Sequence, residues 1–151
     1  MSTGAVPWKR GRGRLGVFEP LLGWWRATST SPMGPVTCVR SFSRVLGGKY
    51  VELRATWEIG TGGYEEIAYF GVDEVGALGF WSFTSDGKQS RGTQCDAAGL
   101  HPEAICFEAK MPAGTARTAY SPGESGGVIW VVESKTKKGW NRFVEHHYAR
   151  T

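Results

Sequence analysis

From Phe18 onward the chain breaks into strand-length runs of alternating apolar and polar residues, separated by Gly, Pro, Asp and Ser clusters. The clearest run is Lys49 to Ile59. Val51, Leu53, Ala55, Trp57 and Ile59 share one face, and Glu52, Arg54, Thr56 and Glu58 share the other. A helix would scatter both sets around its circumference, so this period of two predicts a strand with one wet side. The same reading predicts strands over 23–29, 36–45, 64–72, 77–85, 88–95, 103–111, 115–120, 128–135 and 140–150. The turns between them fall at 31–35, 47–48, 60–63, 73–76, 86–87, 96–102, 112–114, 122–127 and 137–139. Asp86-Gly87 predicts a two-residue type I′ hairpin, whose central positions both need positive φ. Phe18-Glu19-Pro20-Leu21-Leu22-Gly23-Trp24-Trp25-Arg26, the first apolar run, reads as a plug leading into the first strand.

Ten consecutive strands joined by short turns pair antiparallel and invite closure into an all-β, up-and-down barrel, which removes the exposed sheet edges. A β-sandwich is the alternative. Residues 1–16 lack periodicity and read as a basic flexible tail, leaving 17–151 as one barrel domain.

The net charge of +4 alters this picture little once it is located. Lys9, Arg10, Arg12 and Arg14 precede the first acid, Glu19, so the remaining body is formally neutral. A basic tail on a neutral body is not the basic face expected of a nucleic-acid binder. No apolar stretch approaches the length of a membrane span. Cys38, Cys95 and Cys106 share no metal-type spacing, and without a signal-peptide pattern they predict reduced thiols in a cytoplasmic protein. The expected partner is a small apolar or amphipathic molecule held by a monomer or homodimer.

Gly23-Trp24-Trp25 resembles the Gly-x-Trp signature on the first strand of the calycin superfamily, the lipocalins and fatty-acid-binding proteins. The resemblance implies that Trp25 closes one barrel end under an Arg from the last strand, Arg150 or Arg142. Within that group the chain is most similar to nitrobindin-like heme proteins and to uncharacterised bacterial lipocalin-like domains. The similarity lies in the Pro20-Leu21-Leu22-Gly23 opening, Gly48-Lys49-Tyr50-Val51, Tyr64-Glu65-Glu66 and Glu145-His146-His147-Tyr148-Ala149. It implies His146 as proximal ligand to a heme iron and, with it, peroxynitrite isomerisation. The Gly-rich stretch that follows the Trp in nitrobindins is replaced here by 26–35.

Candidate binding residues follow from parity. His146 shares a face with Trp140, Val144 and Tyr148, which predicts an inward imidazole and places His147 outside. Tyr148-Ala149-Arg150 reverses the Arg-x-Tyr order with which fatty-acid-binding proteins hold a carboxylate. Arg40 is in register with Val36, Cys38 and Phe42, so it predicts an inward charge, either ion-paired or anchoring an anionic ligand. Phe80 and Ser82, on one face of their strand, suit a cavity wall or a solvated face equally; Trp57 belongs to the inward set of the third strand. No phosphate loop, nucleophile elbow or paired-His zinc spacing is present. The residues therefore single out no catalytic group, and the reading admits a third outcome, a filled barrel serving a structural or interaction role.

Overall fold

In a computed structural model, which describes residues 7–31, 34–60, 62–97 and 99–151, the chain is a closed ten-stranded antiparallel barrel plugged at one end. A 3₁₀ helix, Arg14–Leu21, precedes β1 (Gly23–Ser31), β2 (Gly34–Val45), β3 (Tyr50–Ile59), β4 (Gly62–Val72) and β5 (Leu78–Thr84). Then follow β6 (Gln89–Gln94), β7 (Ile105–Met111), β8 (Gly114–Pro122), β9 (Val128–Thr136) and β10 (Gly139–Arg150). Each strand pairs with its sequence neighbour, and β10 returns to β1. The sandwich alternative is thereby excluded.

The alternation read from the sequence sets the register. Pairing of Val51 with Phe70, Leu53 with Ala68 and Arg40 with Ala55 turns the apolar set of each strand inward. Phe18 from the 3₁₀ helix is fully buried, stacks on Phe107 at 6.1 Å and packs at a tilt against Phe70 at 4.8 Å. The run read as a plug is therefore the plug, and its rings fill the closed end. Burying a Phe side chain contributes roughly 1.5–3 kcal/mol.

Two expectations are corrected. The connection between β5 and β6 is a three-residue loop, 85–87. Gly87 donates to Thr84 C=O at 2.9 Å, and Thr84 N–H donates to Lys88 C=O at 3.0 Å. Gly87 alone has positive φ, +83°. This is a type I turn closed by a left-handed residue. The Asp86 carboxylate accepts from Thr84 Oγ1 and from Lys88 N–H, which holds Asp86 in ordinary backbone space. The second correction concerns the tail. Residues 14–16 belong to the plug, Trp8 packs against the core, and Trp8 N–H donates to Glu103 Oε2 at 2.7 Å. Residues 1–6 of the expected tail, and Pro32, Met33, Thr61 and Ala98 of three expected turns, lie outside the described residues.

On the outer wall the loop after β6 folds back, so that Ala97 and Leu100 cover Cys106, Ala119 and Val131. Beside it, Glu133 on β9 receives Arg117 from β8 at 2.7 Å and Arg142 from β10 at 2.9 Å. Among the described residues no helix is long and apolar enough to cross a membrane.

Candidate functional site

Arg40 lies halfway along β2, flanked on its inward face by Cys38 and Phe42, and the strand has no freedom to turn it outward without exposing both. Its side chain is 2 % exposed. The guanidinium sits over the Trp130 ring at 4.1 Å, with the Trp57, Tyr148 and Tyr120 rings at 5.4, 5.5 and 5.6 Å. Nη1 donates to the Tyr120 hydroxyl. Nε and Nη2 are buried and have no hydrogen-bond partner among the described residues. Among the described residues Arg40 makes none of the internal ion pairs that an inward Arg would be expected to form. Glu66, on β4, lines the same cavity beyond ion-pair distance, and its carboxylate accepts from Ser82 Oγ on β5.

This arrangement leaves a permanent cation in a low-dielectric interior. An arginine cannot relieve it by losing its proton. Four aromatic faces supply cation–π attraction, about 0.5–2 kcal/mol each. They are acceptor-poor, and Nε and Nη2 remain without a hydrogen-bond partner among the described residues. Around the guanidinium, burial pushes the Tyr120 hydroxyl up to about 12, and it raises Tyr148 and Cys38 as well, against the pull of Arg40. All three are neutral at physiological pH and so cannot balance the charge. Tyr148 is spent on Cys38, its hydroxyl lying 3.0 Å from Sγ.

Next to Arg40 is a cavity of about 170 Å³ lined by Phe70, Phe80, Phe107, Leu53, Tyr120 and Trp130, among others. It reaches Ser90, Met111 and Ala116 at the end of the barrel opposite the plug. The sequence explains the opening there. The pairing of β6 with β7 begins at Gly92–Ala109, so Gln89 to Arg91 run on without a partner in β7. Gly92 is also required by the wall itself, since a Cβ there would come within 2.1 Å of the Phe80 ring.

Of the residues singled out by sequence, Arg40 and Phe80 line this cavity. Ser82 faces inward and holds Glu66, while Trp57 and Tyr148 form walls of the guanidinium cage. Gly23, Trp25 and Arg150 lie apart, at the plugged end. There the Arg150 guanidinium covers Trp25 at 4.1 Å and donates to Leu22 C=O at 2.8 Å. Arg150 is therefore committed to closure and takes no part in a carboxylate site; Arg142 is held on the outer wall by Glu133 and Glu145. Glu66, Thr118, Tyr120 and Trp130 were not singled out. Glu65-Glu66 did carry a signal, because adjacent strand residues face opposite ways and one carboxylate of the pair had to enter the barrel.

His146 points inward on the face of Val144 and Tyr148, whereas a bulge between Arg142 and Val144 turns Trp140, expected on the same face, to the outer wall over Arg117. Its Nδ1 is buried without a partner among the described residues, and its ring lies 5.5 Å from Trp130 and 6.2 Å from Tyr148. His147 lies outside on Glu145 at 2.7 Å. The residues around His146 do not fit a heme. The ring does not line the cavity, Trp130 and Tyr148 occupy its approach, and about 170 Å³ falls below the roughly 300 Å³ at which pockets for larger ligands begin.

Burial, followed by the Arg40 cation and His147, holds the His146 pKa below its ordinary value. The unfolded chain then binds a proton that the folded one refuses. Stability contributed by the neutral ring is lost as pH falls through about 6.5 toward the lower folded pKa. His146→Asn should flatten this loss, which urea midpoints at about pH 7.5 and 5.5 would read in parent and variant. An equal decline in both would overturn the assignment.

No protein-family model matches the chain, and a search of curated proteins finds no similar sequence.

Proposed function

We propose that the protein is a calycin-like barrel that binds a compact amphipathic anion, an aromatic or short-chain carboxylate, in its interior with Arg40 as the anchor. The observation that carries this reading is the pair of buried, unpartnered N–H groups on Arg40 beside an aromatic cavity. A carboxylate accepts two parallel N–H bonds from one guanidinium, which suits the orphaned Nε and Nη2. The apolar part of such a ligand would lie over Phe70, Phe80 and Phe107. Size limits the choice: about 170 Å³ is close to the roughly 150 Å³ that accommodates a benzene ring, which favours a single ring or short chain over a long fatty acid. The calycin reading is supported by the up-and-down closure of ten strands and by Gly23 and Trp25 under Arg150.

Calorimetric titration with benzoate, benzylamine and benzyl alcohol tests the proposal. Benzoate is expected to bind best. Glu66→Gln removes a like charge from the cavity and should tighten benzoate about three- to tenfold, the effect of a partly screened charge several ångströms away. Preference for benzylamine, with loss of binding in Glu66→Gln, would assign the anchor to Glu66 and a cationic ligand instead.

A further inference from the structure

We infer that Cys95 and Cys106 form a reversible intramolecular disulfide, a modification site on the outer wall independent of the interior cavity. The β6–β7 ladder runs through Gly92–Ala109, Thr93–Glu108 and Gln94–Phe107, so the next rung is Cys95 opposite Cys106. The rung is made, since Cys95 N–H donates to Cys106 C=O at 3.0 Å. Directly opposed antiparallel residues have Cα atoms about 4.5–5.5 Å apart, inside the roughly 4.4–6.8 Å that a disulfide spans. The two side chains already face each other, with Sγ atoms 3.1 Å apart. A bond of about 2.05 Å therefore needs a shift of only about an ångström and no backbone rearrangement.

The two thiols are unequal in access. Cys106 is 1 % exposed under Ala97 and Leu100, whereas Cys95 is half-buried at the strand end. Cys95 is thus the sulfur an oxidant reaches and Cys106 the resolving partner. With a peroxide, the Cys95 thiolate attacks one peroxide oxygen and breaks the O–O bond. The leaving oxygen takes a proton as water, and Cys95 becomes a sulfenic acid. Cys106 sulfur then attacks Cys95 sulfur, the S–S bond forms, and the sulfenic oxygen departs as a second water. The two thiols have supplied two electrons and two protons. A dithiol reverses the modification by exchange. Burial raises both thiols above their ordinary pKa, which slows the first step and leaves the geometry untouched.

The bond would fasten the covering loop at its base. Leu100 N–H and Ala104 N–H close turns on Ala97 and His101, and Glu103 in the same loop accepts Trp8 N–H. Oxidation therefore bears on the segment that docks the leader rather than on Arg40.

The test is oxidation of the full chain with hydrogen peroxide, then unfolding, alkylation, peptide mapping and amide hydrogen exchange. Of the three free thiols only Cys38 should remain alkylatable, a Cys95–Cys106 linked peptide should appear, and dithiothreitol should restore all three. Exchange at Ala97, Leu100 and Ala104 should slow in the oxidised form, and Cys38→Ser should form the same link. Three alkylated thiols, irreversible oxidation of Cys95 without a link, or a link to Cys38 or between chains would overturn the inference. Benzoate titration of the oxidised protein keeps the two proposals separate, since the disulfide should leave it unchanged.

Discussion

A barrel carrying Arg40→Met with Tyr120→Phe is expected to be more stable than the parent in the absence of ligand and to lose benzoate binding by at least about a hundredfold. The two halves of this result share one cause. Arg40 is 2 % exposed, has no ion pair among the described residues and leaves Nε and Nη2 unsatisfied. Replacing buried charge by hydrophobic groups of similar volume is often neutral or stabilising by about 1–4 kcal/mol. The aromatic cage offsets part of the penalty in the parent, which places the expected gain near the lower end, about 1–2 kcal/mol. Tyr120→Phe is included because its hydroxyl accepts from Nη1 and would otherwise become a new orphan costing about 1–3 kcal/mol. Loss of a charge-assisted bidentate contact costs about 3 kcal/mol or more, which is the hundredfold. Urea unfolding and benzoate calorimetry measure both halves. A large loss of stability with binding retained would show Arg40 to be a structural cation and sink the carboxylate reading.

The second large effect lies at the seam. Among the described residues β1 and β10 pair through Trp25 with Arg150 and Arg26 with Ala149, extended by Thr151 N–H donating to Trp24 C=O at 3.0 Å, so closure rests on few backbone bonds. Side chains carry the rest. Trp25 is 2 % exposed, donates Nε1–H to Leu21 C=O at 2.7 Å, and lies under the Arg150 guanidinium. Arg150 in turn donates to Leu22 and Pro20 carbonyls. Plug, first strand and last strand thus meet at one stacked pair. Trp25→Ala should cost about 3–5 kcal/mol, the range for removing a large buried aromatic. Gly23→Ala attacks the same point from the backbone. Its φ is +118°, and an added Cβ would lie 2.5 Å from Arg150 Nη1, so Arg150 must leave its carbonyls. Strain in sparsely populated backbone space adds about 1–3 kcal/mol. Arg150→Lys should recover little, because an ammonium lacks the planar fork that stacks on the indole while bonding two carbonyls. Denaturant midpoints would decide this. A change under about 1 kcal/mol for Trp25→Ala would mean the seam is held elsewhere.

Alternation by itself determined the ten strands, their order and, except across the bulge between Arg142 and Val144 in the last strand, which face of each turns inward, because a period of two leaves no choice once one face is buried. It also put Arg40, Phe80 and His146 inside, for each shares parity with apolar neighbours. Gly23, Trp25 and Arg150 were legible from motif and chain position. Three-dimensional pairing decided the rest. Glu66 and Tyr120 belong to strands distant in sequence, and no local pattern states that closure brings both to Arg40. Nor does parity reveal whether an inward Arg finds an acid. That depends on the barrel's diameter and on Ser82 holding Glu66 to one side. The loop at 85–87 depended on Asp86 side-chain bonds that outweigh the Asp-Gly dipeptide's preference for a tighter turn. The facing of Cys95 and Cys106 followed only from the β6–β7 register, since their spacing in the chain fits no motif. Local chemistry set the elements and their faces; closure of the sheet set the distances between them.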